Sequence, residues 1–254
     1  MNILISNDDG FNSKGIEVLI KNVSKKHNVF VVAPDRERSA VSHKITLTNP
    51  IRVNRIADNF YTTDASPADC IKISFLGIIK ESIDLVISGI NHGPNMGLDV
   101  FYSGTVAVAR EGVMKGVPGI AFSLDSYDQD GDFEYAAGFI NQIIDLLSPA
   151  FNINSRFKPL FNVNFPKYGP YKGFKFTRLG FRVYREMLIE HKDPMGNPYY
   201  WIGGELPTHN PRENSDFDAV KNGFVSITPL AIDISDYRML EKIKSVIDTS
   251  KLAI

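Results

Sequence analysis

Short apolar runs alternate with helical patterns through the first two thirds of this chain, and this alternation constrains the fold more than any other feature. Four such runs are residues 3–6, 29–33, 85–88 and 119–123, and the last of them is followed by a predicted helix from about residue 133 to 147. Between the first two runs, apolar residues recur at helical spacing from Ile16 to Val23, as in an amphipathic helix. Strands that follow one another through helices pair in parallel, with helices on both faces of the sheet. The sequence therefore predicts an α/β fold with a mostly parallel sheet.

The pattern changes after about residue 149, where strand patterns follow one another with few helices between them. The predicted elements there are strands at 160–165, 174–177 and 225–228, a hairpin from 187–191 to 199–202, and a terminal helix at 236–247. A core over residues 1–150 is thus predicted to continue, within one structural domain, into C-terminal strands, an extended hairpin and a helix over residues 151–254. Residues 203–214 are polar, contain two prolines and are predicted to form a loop.

Composition excludes several classes of protein. The 254 residues carry a formal net charge of −1, which predicts neither a surface for duplex nucleic acid nor a basic membrane patch. No run of about 20 apolar residues predicts a membrane span, and the first residues lack the basic segment of a signal peptide. The single cysteine, Cys70, allows no internal disulfide and fits a reducing compartment. We therefore expect a cytoplasmic protein that binds neither membranes nor nucleic-acid duplexes.

Two adjacent carboxylates follow the first strand, in the sequence Asn7-Asp8-Asp9-Gly10. Like charges side by side repel, and this cost is tolerated where a cation lies between them. The carboxyl end of a parallel strand is also where α/β sheets bind ligands. The same four residues are typical of a solvated turn as well, since Asp and Gly both favour tight turns. The pair alone does not decide between these two interpretations.

Two further loops place neutral oxygen ligands at the same edge of the predicted sheet. Ser39 lies in the loop after the second strand, and Asn91 in the glycine-rich loop after the third run. Together with Asp8 and Asp9, a hydroxyl and an amide oxygen would make a site for a hard cation such as Mg²⁺, Mn²⁺ or Ca²⁺. Taken singly, Ser39 is typical of any polar loop, and Asn91 and Asn95 of residues that bond their own turn.

The segment Ser103-Gly104-Thr105 opens a predicted helix at 106–115. A helix N-terminus presents free N–H groups and the positive end of the helix dipole, which favour a phosphate. Glycine at 104 is expected to let the backbone approach that phosphate closely. Ser103 is equally typical of an ordinary N-cap. His43 and His92 lie in candidate loops and are further candidates for lining the site, although the five histidines show no metal-ligand spacing.

Seven segments, in order along the chain, resemble the SurE (survival protein E) family of metal-dependent 5′/3′-nucleotidases. They are ILISNDDG (3–10), APDRERS (33–39), TDASPADC (63–70), SGINHGPNMG (88–97), YSGTVAVAREG (102–112), DPMGNPYYWI (193–202) and GFVSITPL (223–230). These segments extend over nearly the whole chain, so the resemblance is specific. Departures from the family pattern lie at residues 203–214 and in the terminal tail, away from the candidate site.

The resemblance implies a Rossmann-like, three-layer core. It also implies hydrolysis of nucleoside 5′- and 3′-monophosphates to nucleoside and phosphate, with one divalent cation per subunit, Mg²⁺ or Mn²⁺. Members of the family form dimers that exchange C-terminal elements, often paired into tetramers. We therefore expect the hairpin at about 187–202 and the terminal helix to serve oligomerisation in this chain, as a homodimer or as a tetramer of two dimers.

The same resemblance implies roles for particular residues. The cation ligands match Asp8, Asp9, Ser39 and Asn91, and the two aspartates are the catalytic residues. Positions associated with phosphate binding match Asn95, Ser103, Gly104 and Thr105. The four cation ligands are the same four residues that the loops of the predicted sheet bring together.

Other enzyme classes fit the first loop less well. A haloacid dehalogenase-like phosphatase has Asp-x-Asp after its first strand, whereas here Asp8 and Asp9 are adjacent. A dinucleotide oxidoreductase needs a G-x-G-x-x-G turn, which residues 7–14 lack. A non-catalytic nucleotide-binding module is the alternative from another class. The sequence leaves open the base, the ester position, short polyphosphate as a substrate, the physiological metal, and whether water or Asp8 itself attacks phosphorus.

Overall fold

The described part of the chain forms thirteen strands and seven α-helices, besides three short helices of other types. The computed structural model describes residues 1–127, 131–184, 186–204, 208–210 and 212–247. The strands are β1 (Asn2–Ser6), β2 (Asn28–Pro34), β3 (Val53–Ala57), β4 (Phe60–Thr63), β5 (Leu85–His92), β6 (Gly119–Leu124), β7 (Leu160–Phe165), β8 (Phe174–Phe176), β9 (Phe181–Val183), β10 (Glu186–Lys192), β11 (Pro198–Gly204), β12 (Thr208–Asn210) and β13 (Val225–Leu230). The helices are α1 (Lys14–Val23), α2 (Pro67–Ile73), α3 (Gly104–Met114), α4 (Phe133–Gly138), α5 (Ile140–Leu147), α6 (Asp216–Lys221) and α7 (Tyr237–Val246).

Nine of these strands form one sheet, in the order β3-β4-β2-β1-β5-β6-β7-β13-β8. The pairs from β4 through β2, β1, β5 and β6 to β7 are all parallel, whereas β3 and β13 run antiparallel to β4 and β7. In the middle of the sheet, Ile3 lies opposite Val29 on one side and Leu85 on the other. The carboxyl ends of β1, β2 and β5 therefore meet at one edge. The predicted α/β fold with a mostly parallel sheet is confirmed.

Helices cover both faces of the sheet, because successive residues of a strand point to opposite sides. Ile3 of β1 packs with Ile16 of α1 in the larger core cluster, which also contains apolar side chains of α4 and α5. Leu4 points the other way and packs in a second cluster with Ile71 of α2 and Val108 of α3. The result is three layers, with the sheet between two layers of helices.

One predicted helix is wrong in detail. The helix predicted at 133–147 is in fact two helices, α4 and α5, which meet at Phe139. The backbone N–H of Phe139 bonds to Ala136 O at 3.1 Å, which closes α4 with a tighter turn. Gly138 directly precedes the break, and glycine is a poor helix former.

Two predicted boundaries also change. The third strand, predicted at 85–88, continues to His92, with an irregular register between Ser88 and Asn91. The segment 203–214, predicted as a loop, contains β12, which pairs antiparallel with β9. Residues 205–207 and 211 of that segment lie outside the described residues.

The C-terminal part of the chain both completes the sheet and extends beyond it. Strands β7, β13 and β8 join the main sheet, and the division at residue 150 stays a prediction. Strands β10 and β11 pair as the predicted hairpin, from Met187 opposite Gly203 to Lys192 opposite Pro198. Helix α7 also forms as predicted, and none of its residues is buried. Among the described helices, none has the length and apolar character to cross a membrane.

Candidate active site

The turn after β1 is held by its own hydrogen bonds and by the loop after β2. Asn7 Nδ2 donates to Gly10 O and to Ser13 Oγ, both at 2.9 Å. Arg38 N donates to Asp8 O at 2.7 Å. The loops that follow β1 and β2 are therefore in direct contact, as expected of loops at the carboxyl edge of neighbouring parallel strands.

The carboxylate of Asp8 lies against the start of α3. Thr105 Oγ1 donates to Asp8 Oδ1 and also lies 3.1 Å from Asn91 Oδ1. Asn91 Nδ2 donates to Gly93 O at 2.8 Å, which orients the amide oxygen towards Thr105. A hydroxyl group carries one proton and cannot satisfy two acceptors at once. A carboxylate oxygen and an amide oxygen, both acceptors, therefore converge on one point.

Gly104 allows α3 to begin this close to Asp8. A Cβ atom at residue 104 would lie 2.8 Å from both Cβ and Oδ2 of Asp8, which is closer than side-chain atoms pack. The backbone of Gly104 and Thr105 also acts on the Asp8 carboxyl and lowers its pKa. From the sequence, glycine is expected here to let a phosphate approach. In the structure, its nearest neighbour is instead the side chain of Asp8.

The two adjacent acids both resist ionisation. Burial raises the pKa of the Asp8 carboxyl, although the hydrogen bonds from Thr105 and Gly104 lower it in part. Burial, and then the charge of Asp8, raise the pKa of Asp9 to about 7. The backbone N–H of His92, which donates to Asp9 Oδ2 at 3.1 Å, acts in the opposite direction. A carboxylate pair of this kind is stabilised by nearby positive charge.

The two carboxylates open into different cavities. Asp8 lines a cavity of about 180 Å³, and Asp9 lines one of about 430 Å³; we name them the Asp8 cavity and the Asp9 cavity. His92 lines both, so the pair lies between them. The other predicted site residues that line the Asp8 cavity are Ser39, Asn91, Asn95 and Ser103.

Ser39 and Ser103 are both engaged by neighbours in the chain. Ser39 is exposed, and its Oγ donates to Glu37 Oε1 at 2.9 Å. Ser103 Oγ accepts a hydrogen bond from Val106 N at 3.0 Å, so this side chain is the N-cap of α3. An N-cap serine leaves other N–H groups of the first turn open to a ligand, and so this role is compatible with phosphate binding.

Asn95 is held by side chains of two other strands. Asn162 Nδ2 and Asn164 Nδ2 of β7 donate to Asn95 O at 2.7 and 3.1 Å. Asn95 N donates to Asn164 Oδ1 at 2.9 Å, and Asn95 Nδ2 donates to Ser123 Oγ of β6 at 2.9 Å. All four residues are buried. The position of Asn95 at the cavity wall is therefore fixed on both its backbone and its side chain.

His43 is bonded to α3. Its Nε2 lies 2.9 Å from Glu111 Oε2, a buried carboxylate that also has Lys72 and Lys115 at 3.5 and 3.6 Å. His43 is not among the described residues that line the Asp8 or Asp9 cavity. Its place in the substrate site stays a prediction.

The donor set of the site suits a hard divalent cation. The side chains of Asp8, Asp9, Asn91 and Ser39 offer only oxygen atoms, the ligands that Mg²⁺ and Mn²⁺ prefer. Across residues 1–247, leaving out the undescribed gaps, no group of three or more His, Cys, Asp or Glu could hold a metal. A cation bound here would therefore rely on two carboxylates and neutral oxygens. The convergence of Asp8 Oδ1 and Asn91 Oδ1 fits that arrangement.

Several residues of the site escape sequence reasoning. The sequence could have pointed to Asn162 and Asn164, because they alternate with apolar residues in the strand LFNVNF. Buried amides need hydrogen-bond partners. Asp99, Tyr102 and Tyr184 also line the Asp8 cavity. Tyr184 gave no such signal, because it reaches the cavity from a distant part of the chain.

Known proteins resemble this chain along its whole length. A family profile described as "Survival protein SurE" matches residues 3–186. A protein named 5′-nucleotidase SurE from Syntrophomonas wolfei is 43% identical over 248 residues, which cover 95% of this chain and 93% of the relative. A protein of the same name from Herpetosiphon aurantiacus is 44% identical over 254 residues, covering 97% and 98%.

A solved structure agrees with these sequence matches. The crystal structure of the SurE protein from Aquifex aeolicus superimposes with a TM-score of 0.83 at 39% identity, covering 98% of this chain and 100% of that one. The relatives' shared name, 5′-nucleotidase, supports a nucleotidase function, and the predicted family and enzyme class are confirmed. This chain belongs to the SurE family.

Proposed function

We propose that this chain is a divalent-cation-dependent nucleotidase that hydrolyses nucleoside 5′- and 3′-monophosphates to nucleoside and phosphate. The names of its relatives support nucleotidase activity. The observation that carries the proposal is the convergence of Asp8 Oδ1 and Asn91 Oδ1 at Thr105, in the first turn of α3. Cation-type ligands thus lie beside a helix N-terminus of the kind that binds phosphate, an arrangement suited to phosphate ester cleavage.

The site residues divide into two groups. Asp8, Asp9, Ser39 and Asn91 hold one Mg²⁺ or Mn²⁺ per subunit. When bound, the cation supplies positive charge that stabilises the negative charge developing on the phosphoryl oxygens. Asn95, Ser103, Gly104 and Thr105 form the phosphate side, where polar groups and backbone N–H groups fix the ester in a preorganised position.

We assign the attack on phosphorus to water rather than to Asp8. The Asp8 carboxylate accepts a hydrogen bond from the Thr105 hydroxyl, which occupies a lone pair that a nucleophile needs. In the water route, a new P–O bond forms and the ester P–O bond breaks, while a carboxylate takes a proton from the water and passes it to the leaving nucleoside oxygen. Rapid quench with labelled substrate should yield no labelled protein. A hydroxylamine-sensitive labelled protein would identify Asp8 as the nucleophile.

The test of the activity is release of phosphate from AMP and from 3′-AMP. We expect release with Mn²⁺ or Mg²⁺, none after treatment with EDTA, and recovery when the cation is added back. Short polyphosphate in the same assay decides whether the site accepts it. Binding of AMP without any release, in the presence of either cation, would favour the non-catalytic nucleotide-binding module instead.

We also propose that the chain assembles as a homodimer at least, through the β10–β11 hairpin and α7. Met187, Leu188, Trp201 and Ile202 of the hairpin are exposed, and a two-stranded ribbon is marginal by itself in water. Helix α7 likewise presents apolar side chains and buries none of them. Light scattering distinguishes dimer from tetramer, and a stable monomer of 28.4 kDa that is fully active would contradict the proposal.

We place the protein in the cytoplasm. Cys70, its single cysteine, is a buried free thiol. Burial raises the pKa of this thiol, so it stays protonated and unreactive. Such a thiol fits a reducing compartment. Cell fractionation tests the assignment, and recovery of the protein in an extracytoplasmic fraction would contradict it.

A further inference from the structure

Two tyrosine rings line the Asp8 cavity, and the phosphate chemistry described above uses neither of them. Tyr102 directly precedes Ser103, the N-cap of α3, and Tyr184 lies between β9 and β10. Both line the same cavity as Asp8, and they are 65% and 45% exposed. Exposed aromatic rings beside a site for a small phosphate ester offer an apolar, flat surface to whatever group the ester carries.

The ring of Tyr184 is held at one edge and open elsewhere. Its hydroxyl donates to Asp99 Oδ1. Arg182 Nη1 lies 3.0 Å from Asp99 Oδ2, and the side chains of Arg182 and Asp99 are only 10% and 12% exposed. Arg182 in turn lies over the Phe217 ring, at 5.2 Å from its centroid. Burial and the bond to Asp99 raise the pKa of Tyr184 to about 12. The hydroxyl therefore stays a donor, and the ring keeps its place.

The Asp9 cavity offers no comparable surface. Apart from the His92 ring, which lines both cavities, its aromatic residue is Phe133. Phe133 is buried in the larger core cluster and lies against the His92 ring, with centroids 6.1 Å apart. Lys14, also in that cavity, is paired with Glu17 and Glu134. A flat ligand would find two exposed tyrosine rings in the Asp8 cavity, whereas the Asp9 cavity adds only the packed Phe133 ring to the His92 ring that both cavities share.

We infer that Tyr102 and Tyr184 bind the base of the nucleotide by stacking, an inference that rests on the proposed nucleotidase function. Every base has a π face, so stacking accepts all of them, and a purine offers more ring area than a pyrimidine. The contact involves the base and not the ribose position that carries the phosphate. Tyr102 and Tyr184 are therefore the residues that favour nucleotides over phosphate esters without a base.

The test compares AMP with ribose 5-phosphate, which presents the same phosphate ester without a base. We expect wild type to hydrolyse both, with a higher kcat/KM for AMP. In Tyr102→Ala and in Tyr184→Ala, the ratio of the two kcat/KM values should fall about tenfold, mainly through the KM for AMP. Tyr184→Phe keeps the ring and loses only the hydroxyl, with its contacts to Asp99 and Arg182, so it should retain most of the ratio and show that the chain still folds.

Two further variants make the comparison specific. Tyr168→Ala removes an exposed tyrosine that does not line the Asp8 cavity, and the ratio should stay at the wild-type value. Phe133→Leu alters the Asp9 cavity. If the ratio fell in this variant and in neither tyrosine variant, the base would bind in the Asp9 cavity and the inference would be overturned. Unchanged ratios in Tyr102→Ala and Tyr184→Ala would overturn it as well. A wild type that hydrolyses neither ester would instead contradict the proposed function.

Discussion

The loops around Asp8 bury polar side chains, whereas the C-terminal hairpin and helix leave apolar side chains exposed. Asp8, Asn95 and Thr105 are buried, and each is hydrogen-bonded to a residue from another part of the chain. The β10–β11 hairpin and α7 leave large apolar side chains open, with Ile202 81% and Val246 80% exposed. The hydrogen bonds named for the first region are made within one chain, whereas the second region presents apolar surface of a kind that marks an interaction site.

We expect this difference to separate the part of the chain that serves catalysis from the part that serves assembly. Buried polar groups need hydrogen-bond partners, so the geometry of the first region is fixed by specific contacts. The apolar side chains of the β10–β11 hairpin and of α7 form no hydrogen bonds, so they stabilise a structure only when they are buried further. Substitutions in the first region should therefore change catalysis, and substitutions in the second should change the oligomeric state.

Removal of either carboxylate should have the largest effect. Asp8→Asn or Asp9→Asn keeps the shape and removes one charge, and kcat should fall at least about a hundredfold, on the order of 3 kcal/mol of transition-state stabilisation. Phosphate release from AMP with saturating Mn²⁺ measures the loss. Asp58→Asn is the matched control, because the side chain of Asp58 is 95% exposed and lines neither cavity. Full activity in the Asp8 or Asp9 variant would break the assignment.

Crowding the Asp8 carboxylate should come next. Gly104→Ala introduces a Cβ atom 2.8 Å from Asp8 Oδ2, and kcat/KM should fall at least about tenfold, since a displacement of about 1 Å can cost a hundredfold in rate. Gly138→Ala in α4 is the control, because a Cβ there meets no atom within 4 Å. Steady-state kinetics on both variants decide, and equal kcat/KM values would show that Asp8 tolerates movement.

A charge on the apolar face of α7 should act on assembly alone. Ile243→Lys places a cation among exposed apolar side chains, and the dissociation constant of the dimer should rise at least about tenfold, in line with the stabilisation from burying one isoleucine. Activity per chain should change little. Ser245→Lys adds the same charge on another side of α7 and should leave the dimer intact. Light scattering over a dilution series measures both, and identical dissociation constants would exclude α7 from the interface.

Loosening Asn95 should give the smallest effect. Ser123→Ala removes the partner of Asn95 Nδ2, and the KM for AMP should rise about fivefold, as expected for the loss of one hydrogen bond worth about 1 kcal/mol. Ser226→Ala removes an equally buried serine that bonds Thr177, and it should lower stability without a change in KM. Thermal unfolding and kinetics together separate the two effects. Equal KM values in the two variants would mean that Ser123 acts only through stability.

The central strands are predictable from the sequence, and the peripheral ones are not. Strands β1, β2, β5 and β6 are covered on both faces and read as continuous apolar runs. Strand β3 lies at the edge of the sheet with four of its five residues exposed, so it carries no such run. Strands β9 and β12 have three residues each and depend on one another across the chain. The break between α4 and α5 at Phe139 cannot be predicted from the sequence, because buried residues continue at helical spacing on both sides of it.

By itself, the sequence determined the order of the central elements, the parallel sheet, the edge at which Asp8 and Asn91 meet, and the family to which the chain belongs. Only the tertiary structure decided that Asp8 faces Thr105, that Asp8 and Asp9 open into different cavities, and that Tyr184 reaches the first of these. The physical reason is the separation along the chain over which each kind of interaction acts. Periodicity and turn chemistry act between neighbours in the chain, whereas burial and hydrogen bonding join distant residues only after packing has brought them together.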